Sequence, residues 1–358
     1  MKKILFSAVS LDVGGIEKAL VMLLNNLADK YDVTLVLENN SGIFKSEINP
    51  KINIVEYKIS SIQNVLLRKL DNFIRQRKFA IKYQNKYDFS CSFATYSRPG
   101  SFVARTASKN SILWCHMDYL SQYKGDKEKV KKFFEDVKFD EFKKLVFVSK
   151  KSLETFLQVY PYMKEKAVHI NNMIDYEKII KDSDEIINIK KDCYTFVNVS
   201  RHDEEQKKIS RIIESAKILK DKNINFKIIL VGDGPDNKKY KEMVSNKNLA
   251  ENVIFVGRKK NPYPYIKSAD CMILTSDYEG SPVAFVEAFV LDKPIITTDV
   301  AGSEQINNSN GVVIEKNVSK IAETMQNFIE NGYKTTEKFD AKKYNNEIIE
   351  NLEKLMQG

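Results

Sequence analysis

Two glutamates lie eight residues apart in the segment SDYEGSPVAFVEAF at residues 276–289. Glu279 lies in a turn-like stretch, and Glu287 lies inside an apolar run with helical character. A buried carboxylate without partners is costly, so Glu287 predicts hydrogen-bonding groups around it. The vicinal hydroxyls of a ribose would satisfy both of its oxygens. The alternative is a partly exposed glutamate on an amphipathic helix.

The residues between the two glutamates predict the start of a helix. Pro282 suits a first helical turn, and Gly280 and Ser281 would leave backbone N–H groups exposed ahead of it. Such N–H groups bind anions or hydroxyl-rich groups. The segment therefore indicates a ligand site beside Glu279.

A group of cations lies in the segment VSRHDEEQKK. Arg201 follows a strand-like run, and Lys207 and Lys208 open the next predicted helix. Cations beside a helix N-terminus favour a diphosphate site, because charge and N–H groups point the same way. The alternative is an ordinary solvated, charged loop.

The N-terminal half contains a second set of candidates. His116 lies at a predicted strand end, where it could donate a hydrogen bond or act as a base, with Asp118 two residues on. A structural histidine is the alternative. Gly14 and Gly15 follow the first strand and allow close approach of a ligand to the backbone. Their pattern is not GxGxxG, so a dinucleotide fingerprint is absent. No role is predicted for His169 or His202.

These candidates depend on strands that bring them together. Apolar strands alternate with amphipathic helices in two series, KKILFSAV, DVTLVLE, KINIVEY, FSCSFA, SILWCH and KLVFVS, then YTFVNVS, FKIILVG, NVIFVG, CMILTS, PIITTD and GVVI. Such strands predict parallel sheets covered on both faces, and two series predict two doubly wound α/β domains. We place the boundary within residues 169–180, giving domains at 1–172 and 173–339. The lysine-rich tail is predicted to be helical from about residue 335, and its last helix, about 340–358, is expected to rejoin the first domain. Ligands bind at the carboxyl ends of such strands, so the candidates are expected to line one cleft between facing domains.

The composition limits the class of protein. The chain has 358 residues, of which 43% are hydrophobic and 29% charged, as in globular proteins. It has no apolar run long enough for a membrane span and no signal-peptide core at its start, so we expect a cytosolic protein. The net charge of +9 favours an anionic partner, but no basic–aromatic motif supports nucleic acid. The cysteines have no CxxC pair and are expected to be buried thiols: Cys91, Cys115, Cys193 and Cys271.

One predicted helix, at residues 66–86, has an unusual charge. Its apolar residues fall roughly on one face, and it has one acid, Asp71, against seven cations: Arg68, Lys69, Arg75, Arg77, Lys78, Lys82 and Lys86. This profile is typical of a helix lying on an anionic membrane surface. The alternative is a surface helix whose apolar face packs into the core.

Taken in order, seven segments resemble the retaining glycosyltransferases of family four, which have the GT-B fold. These are GGIEKALVML, WCHMDY, NNMID, VSRHDEEQKK, VGDGPD, YEGSPVAFVEAF and TTDVAGSEQI. YEGSPVAFVEAF resembles the E-x7-E motif of that family, and VSRHDEEQKK its Arg…Lys phosphate motif. The resemblance covers nearly the whole chain and is of the bacterial capsule or exopolysaccharide type.

The resemblance implies roles on the donor side. Glu287 would hold the ribose hydroxyls of the nucleotide, and Arg201 and Lys207 would neutralise the diphosphate. The family motif usually ends with one lysine, so Lys207 and Lys208 both qualify, with Lys207 favoured. The remaining donor contacts would come from Glu279, Gly280, Ser281, Pro282, Val283, Gly257 and Arg258.

The resemblance also implies an acceptor side. His116 would lie beside the transferred sugar and its anomeric carbon, and Gly14 and Gly15 would border the acceptor and the diphosphate. Asp118 is predicted to contact the acceptor with His116. The junction segment has Met173 where the family usually has proline, which should not affect chemistry.

The implied activity is transfer of a hexose or N-acetylhexosamine from a UDP-sugar, with retention, to a glycan or lipid-linked glycan in cell-surface polysaccharide synthesis. No acidic DxD-like cluster lies at a predicted strand end, so we expect no metal or other cofactor. Alternatives are an epimerase or phosphorylase of this fold and a non-catalytic subunit that binds glycan and stabilises a transferase. Such a subunit could lose the catalytic candidates, all of which are present here: His116, Arg201, Lys207 and Glu279.

Overall fold

The computed structural model describes residues 1–12 and 14–357. The chain contacts divide it into two compact units. The N-terminal unit comprises Met1–Met173 and the residues from Asn345 onward, and the C-terminal unit comprises Ile174–Tyr344. Each unit is built on its own parallel sheet.

The described part of the N-terminal unit contains a seven-stranded sheet in the order β3-β2-β1-β4-β5-β6-β7. All neighbouring strands in it are parallel. The strands are β1 Lys3–Ala8, β2 Asp32–Leu37, β3 Asn53–Glu56, β4 Phe89–Ser92, β5 Ser111–Cys115, β6 Lys144–Phe147 and β7 Ala167–His169. The six strands predicted in this half are present, and β7 was not predicted.

Helices connect these strands. They are α1 Gly15–Leu27, α2 Val65–Tyr83, α3 Arg98–Ala107, α4 Tyr119–Gln122, α5 Lys127–Asp136 and α6 Lys150–Leu157. Most begin where a polar side chain accepts hydrogen bonds from the first backbone N–H groups, as expected of N-caps. These caps are Asn64, Ser97, Asp118, Asp126 and Ser149.

The described part of the C-terminal unit contains a six-stranded parallel sheet in the order β10-β9-β8-β11-β12-β13. Its strands are β8 Tyr194–Val199, β9 Phe226–Val231, β10 Val253–Gly257, β11 Cys271–Leu274, β12 Ile295–Thr298 and β13 Gly311–Ile314. Its helices are α7 Tyr176–Asp182, α8 Ile209–Asp221, α9 Asn237–Asn246, α10 Tyr263–Ser268, α11 Val283–Val290 and α12 Val318–Asn331.

The core of the C-terminal unit lies on both faces of its sheet. Phe196 of β8 packs with Ile212 of α8 on one face, and the next residue, Val197, packs with Phe285 of α11 on the other. Successive strand residues point to opposite faces, so continuous apolar strands need helices on both sides. The prediction of doubly wound α/β domains is confirmed.

The C-terminal tail differs from the prediction in its start. The helix expected from about residue 335 begins later, as α13 Ala341–Gln357, and residues 332–340 are not helical. Ile348 and Leu352 of α13 are buried, and Glu353 accepts hydrogen bonds from Lys30 and Tyr31. Within residues 1–12 and 14–357, no helix has the length and apolarity needed to cross a bilayer.

The cysteines follow the prediction with one exception. Cys91, Cys115 and Cys271 are buried free thiols, and Cys193 is half-buried. Burial raises the pKa of the Cys91, Cys115 and Cys271 thiols, which keeps them neutral and unreactive.

Candidate functional site

Strand order brings the predicted residues of the C-terminal unit to one edge. β10, β9, β8 and β11 are neighbours in the parallel sheet, so the loops after them leave from the same carboxyl edge. Arg201 and Lys207 lie in the loop after β8, and Glu279 lies in the loop after β11. Segments that are about 75 residues apart in sequence therefore meet.

Glu279 is the centre of a buried polar cluster. Its side chain is 7% exposed, and Lys207 Nζ, itself on a 16% exposed side chain, lies 2.5 Å from Glu279 Oε1. Ser276 Oγ donates to the same oxygen at 2.7 Å, and Gln206 Nε2 donates to Oε2 at 3.2 Å. The carboxylate thus has both a counterion and neutral donors, which a buried charge requires. Sequence reasoning identified Lys207 and Glu279 but missed Gln206.

The neighbouring lysine has a different environment. Lys208 caps the start of α8 with a left-handed φ of +49°, and its carbonyl accepts a hydrogen bond from Thr275 Oγ1 at 2.9 Å. Its ammonium lies 3.7 Å from Asp277 and 4.0 Å from Glu204. Of the two adjacent lysines, Lys207 is therefore the one that reaches Glu279.

Two arginines flank this cluster in different ways. Arg201 has a 60% exposed side chain, and its Nη2 lies 2.6 Å from Asp203. A guanidinium has five N–H donors, so this contact leaves donors for an anion. Arg211, which sequence reasoning missed, donates to the Thr275 carbonyl and pairs with Asp277 at 2.7 Å. It fixes the end of β11 against α8.

The start of α11 follows Glu279 directly. The helix begins at Val283, so Pro282 lies just before it. The prediction that Pro282 lies in the first helical turn is therefore wrong by one residue. Glu287 is only 6% exposed, which rules out the partly exposed alternative. Gly302, with a φ of +91°, lies so close that a Cβ there would be 2.9 Å from Ser281 Cα and Pro282 Cδ. A side chain at residue 302 would therefore displace the residues that open α11.

The glycine-rich turn after β9 supports the loop that carries Arg201. Gly232 has a φ of +148°, and a Cβ there would lie 1.9 Å from the Ser200 carbonyl oxygen. A Cβ at Gly234 would lie 2.4 Å from the His202 carbonyl oxygen. His202, which was predicted to have no role, is fully buried, and its Nδ1 lies 3.0 Å from Asn237 Oδ1. It is one of the residues that hold the two loops together.

The last donor-side candidates lie at the end of β10. Gly257 has a φ of +72°, and its carbonyl accepts a hydrogen bond from Gly232 N at 3.0 Å. Arg258 follows it and is exposed. Both lie on the same edge of the sheet as Arg201.

In the N-terminal unit, His116 follows β5 and is 7% exposed. Its ring centroid lies 4.5 Å from that of Phe93, and its ring is nearly parallel to that of Trp114. Burial lowers the pKa of His116 to about 3, so the ring is neutral at ordinary pH. Among the described residues, neither ring nitrogen has a hydrogen-bond partner of standard geometry. A neutral imidazole has one donor and one acceptor nitrogen.

The burial of His116 predicts that the stability of the fold depends on pH. The unfolded chain protonates His116 near pH 6.5 and the folded chain only near pH 3. Between these values the unfolded state binds the extra proton, so stability falls as the pH falls, by up to about 1.4 kcal/mol per pH unit. Urea unfolding between pH 7.5 and 5.0 should show a flatter dependence for H116N than for the wild type. Equal slopes for H116N and the wild type would contradict the assigned burial.

The structure gives Asp118 a structural role. Its side chain caps α4 by accepting from Ser121 N at 3.1 Å and Ser121 Oγ at 2.5 Å, and it accepts from Thr155 Oγ1 at 2.8 Å. The residue is 1% exposed. These contacts orient the loop behind His116 and give no support to the predicted acceptor contact.

The predicted glycines lie at the start of α1. Gly14 caps the helix, and Gly15 is its exposed first residue. A Cβ at Gly14 would lie 2.1 Å from Glu17 Oε2, so the glycine makes room for a carboxylate at the helix start. Burial raises the pKa of Glu17. The sequence predicted a ligand here and missed Glu17.

A second carboxylate lies at this edge of the N-terminal sheet. Glu38 follows β2 and accepts a hydrogen bond from Ser97, the residue that caps α3. Burial raises the pKa of Glu38 as it does that of Glu17. Glu17 belongs to the segment GGIEKALVML but was given no role there, and Glu38 lies in none of the recognised segments.

Comparison with known proteins places this arrangement in context. Residues 179–346 match the family model of glycosyl transferases group 1. An uncharacterized glycosyltransferase of Methanocaldococcus jannaschii is 34% identical over 142 residues, which are 38% of this chain and 35% of that protein. The chain spans about a third or less of the length of the first curated relatives that it matches.

Two longer matches cover most of the chain. One is the N-acetylgalactosamine-N,N'-diacetylbacillosaminyl-diphospho-undecaprenol 4-alpha-N-acetylgalactosaminyltransferase of Campylobacter jejuni, 24% identical over 84% of this chain and 81% of that one. The other is the crystal structure of HepE of Anabaena in complex with UDP and glucose. It has a TM-score of 0.77 and 20% identity, and the match covers 99% of this chain and 100% of that one. The fold of the chain is GT-B, as predicted.

Proposed function

We propose that this chain is a retaining glycosyltransferase that moves a hexose or N-acetylhexosamine from a UDP-sugar to a glycan or lipid-linked glycan. The product would be a precursor of a cell-surface polysaccharide. The observation that carries the proposal is the buried Lys207–Glu279 pair, with Arg201 and the start of α11 at the same strand edge. This edge lies in the segment that matches the glycosyltransferase family model.

The donor would bind to the C-terminal unit. Arg201 and Lys207 would neutralise the diphosphate, and the backbone of residues 280–283 would face the phosphates and the donor sugar. Glu287 would hold the ribose hydroxyls of the nucleotide, and Gly257 and Arg258, at the end of β10, would lie near the base. The UDP in the complex of HepE supports UDP as the nucleotide.

Cationic residues of this chain would stabilise the charge that develops during the reaction. The bond between the anomeric carbon and the diphosphate oxygen breaks, and negative charge develops on the leaving group. Preformed cations stabilise such charge best where water is excluded, and Lys207 is largely buried. Because these cations are in place, we propose that no metal is required, so UDP release should continue in EDTA.

Retention would follow from attack on the face that the leaving group departs from. The acceptor oxygen forms the new bond to the anomeric carbon, and its proton goes to the departing phosphate oxygen. His116, neutral and buried, would hold a hydroxyl of the transferred sugar and not act as a charged acid. Gly14 and Gly15 would border the acceptor and the diphosphate.

The acceptor class comes from the relatives. The Campylobacter jejuni enzyme is named for a diphospho-undecaprenol-linked acceptor. A poly(ribitol-phosphate) alpha-N-acetylglucosaminyltransferase of Staphylococcus aureus is 29% identical over 129 residues. We propose a lipid-linked or polymeric glycan acceptor and a cytoplasmic enzyme that works at the inner face of the membrane.

The second candidate function is a non-catalytic GT-B subunit that binds glycan. The Lys207–Glu279 pair favours an enzyme over this candidate, because a subunit without chemistry needs no buried cation at the donor edge.

Nucleotide-sugar binding tests the proposal. Thermal unfolding would be followed with UDP-glucose, UDP-galactose, UDP-GlcNAc and UDP-GalNAc, with GDP-mannose as the unrelated donor. We expect one UDP-sugar to raise Tm by several degrees, since ligand at 100-fold its Kd adds about 2.7 kcal/mol. E287A and R201A should lose the shift, and K238A, at a 91% exposed lysine in the same unit, should keep it. If no UDP-sugar stabilises the wild type, the non-catalytic subunit becomes the better explanation.

A further inference from the structure

The helix α2 points its apolar face away from the protein. Only Phe79 of its residues is fully buried. At 100° per residue, Phe79 and Tyr83 lie on one side of the helix, and Leu66, Leu70 and Ile74 lie on the opposite side. The outward side chains are large and exposed: Leu66 76%, Leu67 56%, Leu70 56%, Phe73 53%, Ile74 42% and Ile81 81%. The alternative of an apolar face packed into the core is therefore wrong.

The N-terminal half of α2 also projects beyond the sheet. Tyr57, which directly follows β3, lies level with Phe79, because their ring centroids are 5.2 Å apart. A crossover helix runs antiparallel to its strands, so the residues before Phe79 extend past their carboxyl ends. Leu66 is 13 residues earlier, which at 1.5 Å per residue is roughly 20 Å further along the helix axis. Residues 61–70 are all exposed. We call residues 65–78 the projecting arm.

Cations surround the apolar stripe of the projecting arm. Asp71, the single acid of the arm, pairs with Arg75 at 2.9 Å, and the arm has four further cations. These are Arg68, Lys69, Arg77 and Lys78. A basic rim around exposed leucines matches an anionic bilayer, in which the apolar side chains enter the acyl boundary and the cations meet the headgroups.

The surface next to the arm is also basic. A groove of about 650 Å³ runs between α2 and α3, and its lining includes Arg77, Arg98, Arg105 and Lys138 against Asp136 and Glu141. Arg98 pairs with Asp136 and Arg105 with Glu141, so cations exceed acids there by two. The positive charge therefore continues from the arm onto the body of the unit.

We propose that the projecting arm inserts its apolar stripe into an anionic lipid bilayer and thereby holds the carboxyl edge of the N-terminal sheet towards the membrane. His116 and Gly14 lie on this edge, as do Glu17 and Glu38. A lipid-linked acceptor would then present its sugar at the edge where the proposed function places the acceptor. Insertion does not depend on that function, whereas the orientation of the acceptor rests on it.

Vesicle binding of the full chain tests the insertion. Sedimentation would be compared for vesicles of phosphatidylglycerol and phosphatidylcholine (3:7) and of phosphatidylcholine alone. We expect at least tenfold tighter binding to the anionic vesicles. L66S/L70S/I74S should lose at least tenfold, and K69Q/K78Q roughly 25-fold, since each basic residue near the surface contributes about fivefold. I186S and K238Q/K239Q, at exposed positions of the C-terminal unit, should bind like the wild type.

A tryptophan reporter separates insertion from electrostatic attraction alone. The only native tryptophan, Trp114, is 1% exposed, so its signal should be constant. L70W should shift its emission to shorter wavelength on anionic vesicles and be quenched by brominated lipid. No shift, or unchanged binding of L66S/L70S/I74S, would overturn the proposal. So would a wild-type dimer that this triple variant converts to monomer without any change in vesicle binding, because a second copy would then cover the stripe.

The controls distinguish this proposal from the proposed function. The arm variants change exposed side chains, so their Tm and their UDP-sugar shifts should equal those of the wild type. If the arm variants lose vesicle binding while UDP-sugar still raises their Tm, the result supports insertion of the arm and leaves the proposed function unaffected. If no UDP-sugar raises the Tm of the wild type or of any variant, and the wild type still binds anionic vesicles, the proposed function is overturned and the insertion proposal still holds.

Discussion

Replacing Lys207 with methionine is expected to lower the free energy of unfolding of the C-terminal unit by about 3–5 kcal/mol. The ammonium is the counterion of Glu279, and both side chains are largely removed from water. Among the described residues, the variant would leave Ser276 and Gln206 as the donors to a buried carboxylate. We also expect UDP release from the preferred UDP-sugar to fall by at least 100-fold, because the leaving group loses a preformed cation.

The matched control is K208M. Lys208 has a 29% exposed side chain and lies no closer than 3.7 Å to a carboxylate, so its loss should cost about 1 kcal/mol or less. The double variant K207M/E279Q should recover much of the stability of K207M, because no unpaired charge remains, but none of the activity. Equal effects of K207M and K208M in urea unfolding would contradict the special position of Lys207.

Replacing Gly232 with alanine is expected to lower the free energy of unfolding by more than about 3 kcal/mol. The new Cβ would lie 1.9 Å from the Ser200 carbonyl oxygen, and its φ of +148° is a conformation that alanine rarely adopts. The backbone of either the 232 turn or the Arg201 loop would have to move. UDP-sugar binding should therefore fall along with stability.

G257A separates backbone strain from the steric clash. Gly257 also has a positive φ, +72°, but a Cβ there meets no atom within 4 Å. We expect a cost of about 1–2 kcal/mol from the left-handed conformation alone. Urea unfolding followed by circular dichroism measures both variants, and a G232A loss no greater than that of G257A would show that the two loops are not in contact.

Strand patterns predicted most of the fold, for a simple physical reason. Buried parallel strands are apolar on both faces, so runs such as FKIILVG and CMILTS stand out without any knowledge of their neighbours. β7 was missed because it has only three residues, Ala167–His169, and two of them are half-buried. The late start of α13 was missed because lysine-rich segments suit both a helix and a solvated coil.

Periodicity predicted the apolar stripe of α2 but not its direction. A repeat of 3.6 residues identifies a face, and ordinary burial would turn that face inward. Here Phe79 and Tyr83 make the inward contact, and the stronger stripe faces outward. Only the packing of Phe79 against Tyr57 decides between the two orientations.

The candidate site was predicted as separate residues and not as an arrangement. Lys207 and Glu279 are 72 residues apart, and their contact depends on β8 and β11 being neighbours in the sheet. Gln206 and Glu17 lie within the segments VSRHDEEQKK and GGIEKALVML, but no role was assigned to them, and Glu38 belongs to no recognised segment. His202 was missed because a histidine in a charged loop looks exposed, whereas Gly232 and Gly234 bring the next loop over it.

Sugar transfer itself is the most direct test of the proposed function. The full chain would be incubated with the UDP-sugar that stabilises it and with synthetic glycans on diphospho-undecaprenol, and both UDP release and acceptor mass would be followed. We predict one UDP released for each hexose or N-acetylhexosamine added, with neither signal from K207M or E287A. If no UDP-sugar yields a heavier acceptor while the protein remains folded and binds glycan, the chain is a binding subunit and not a transferase.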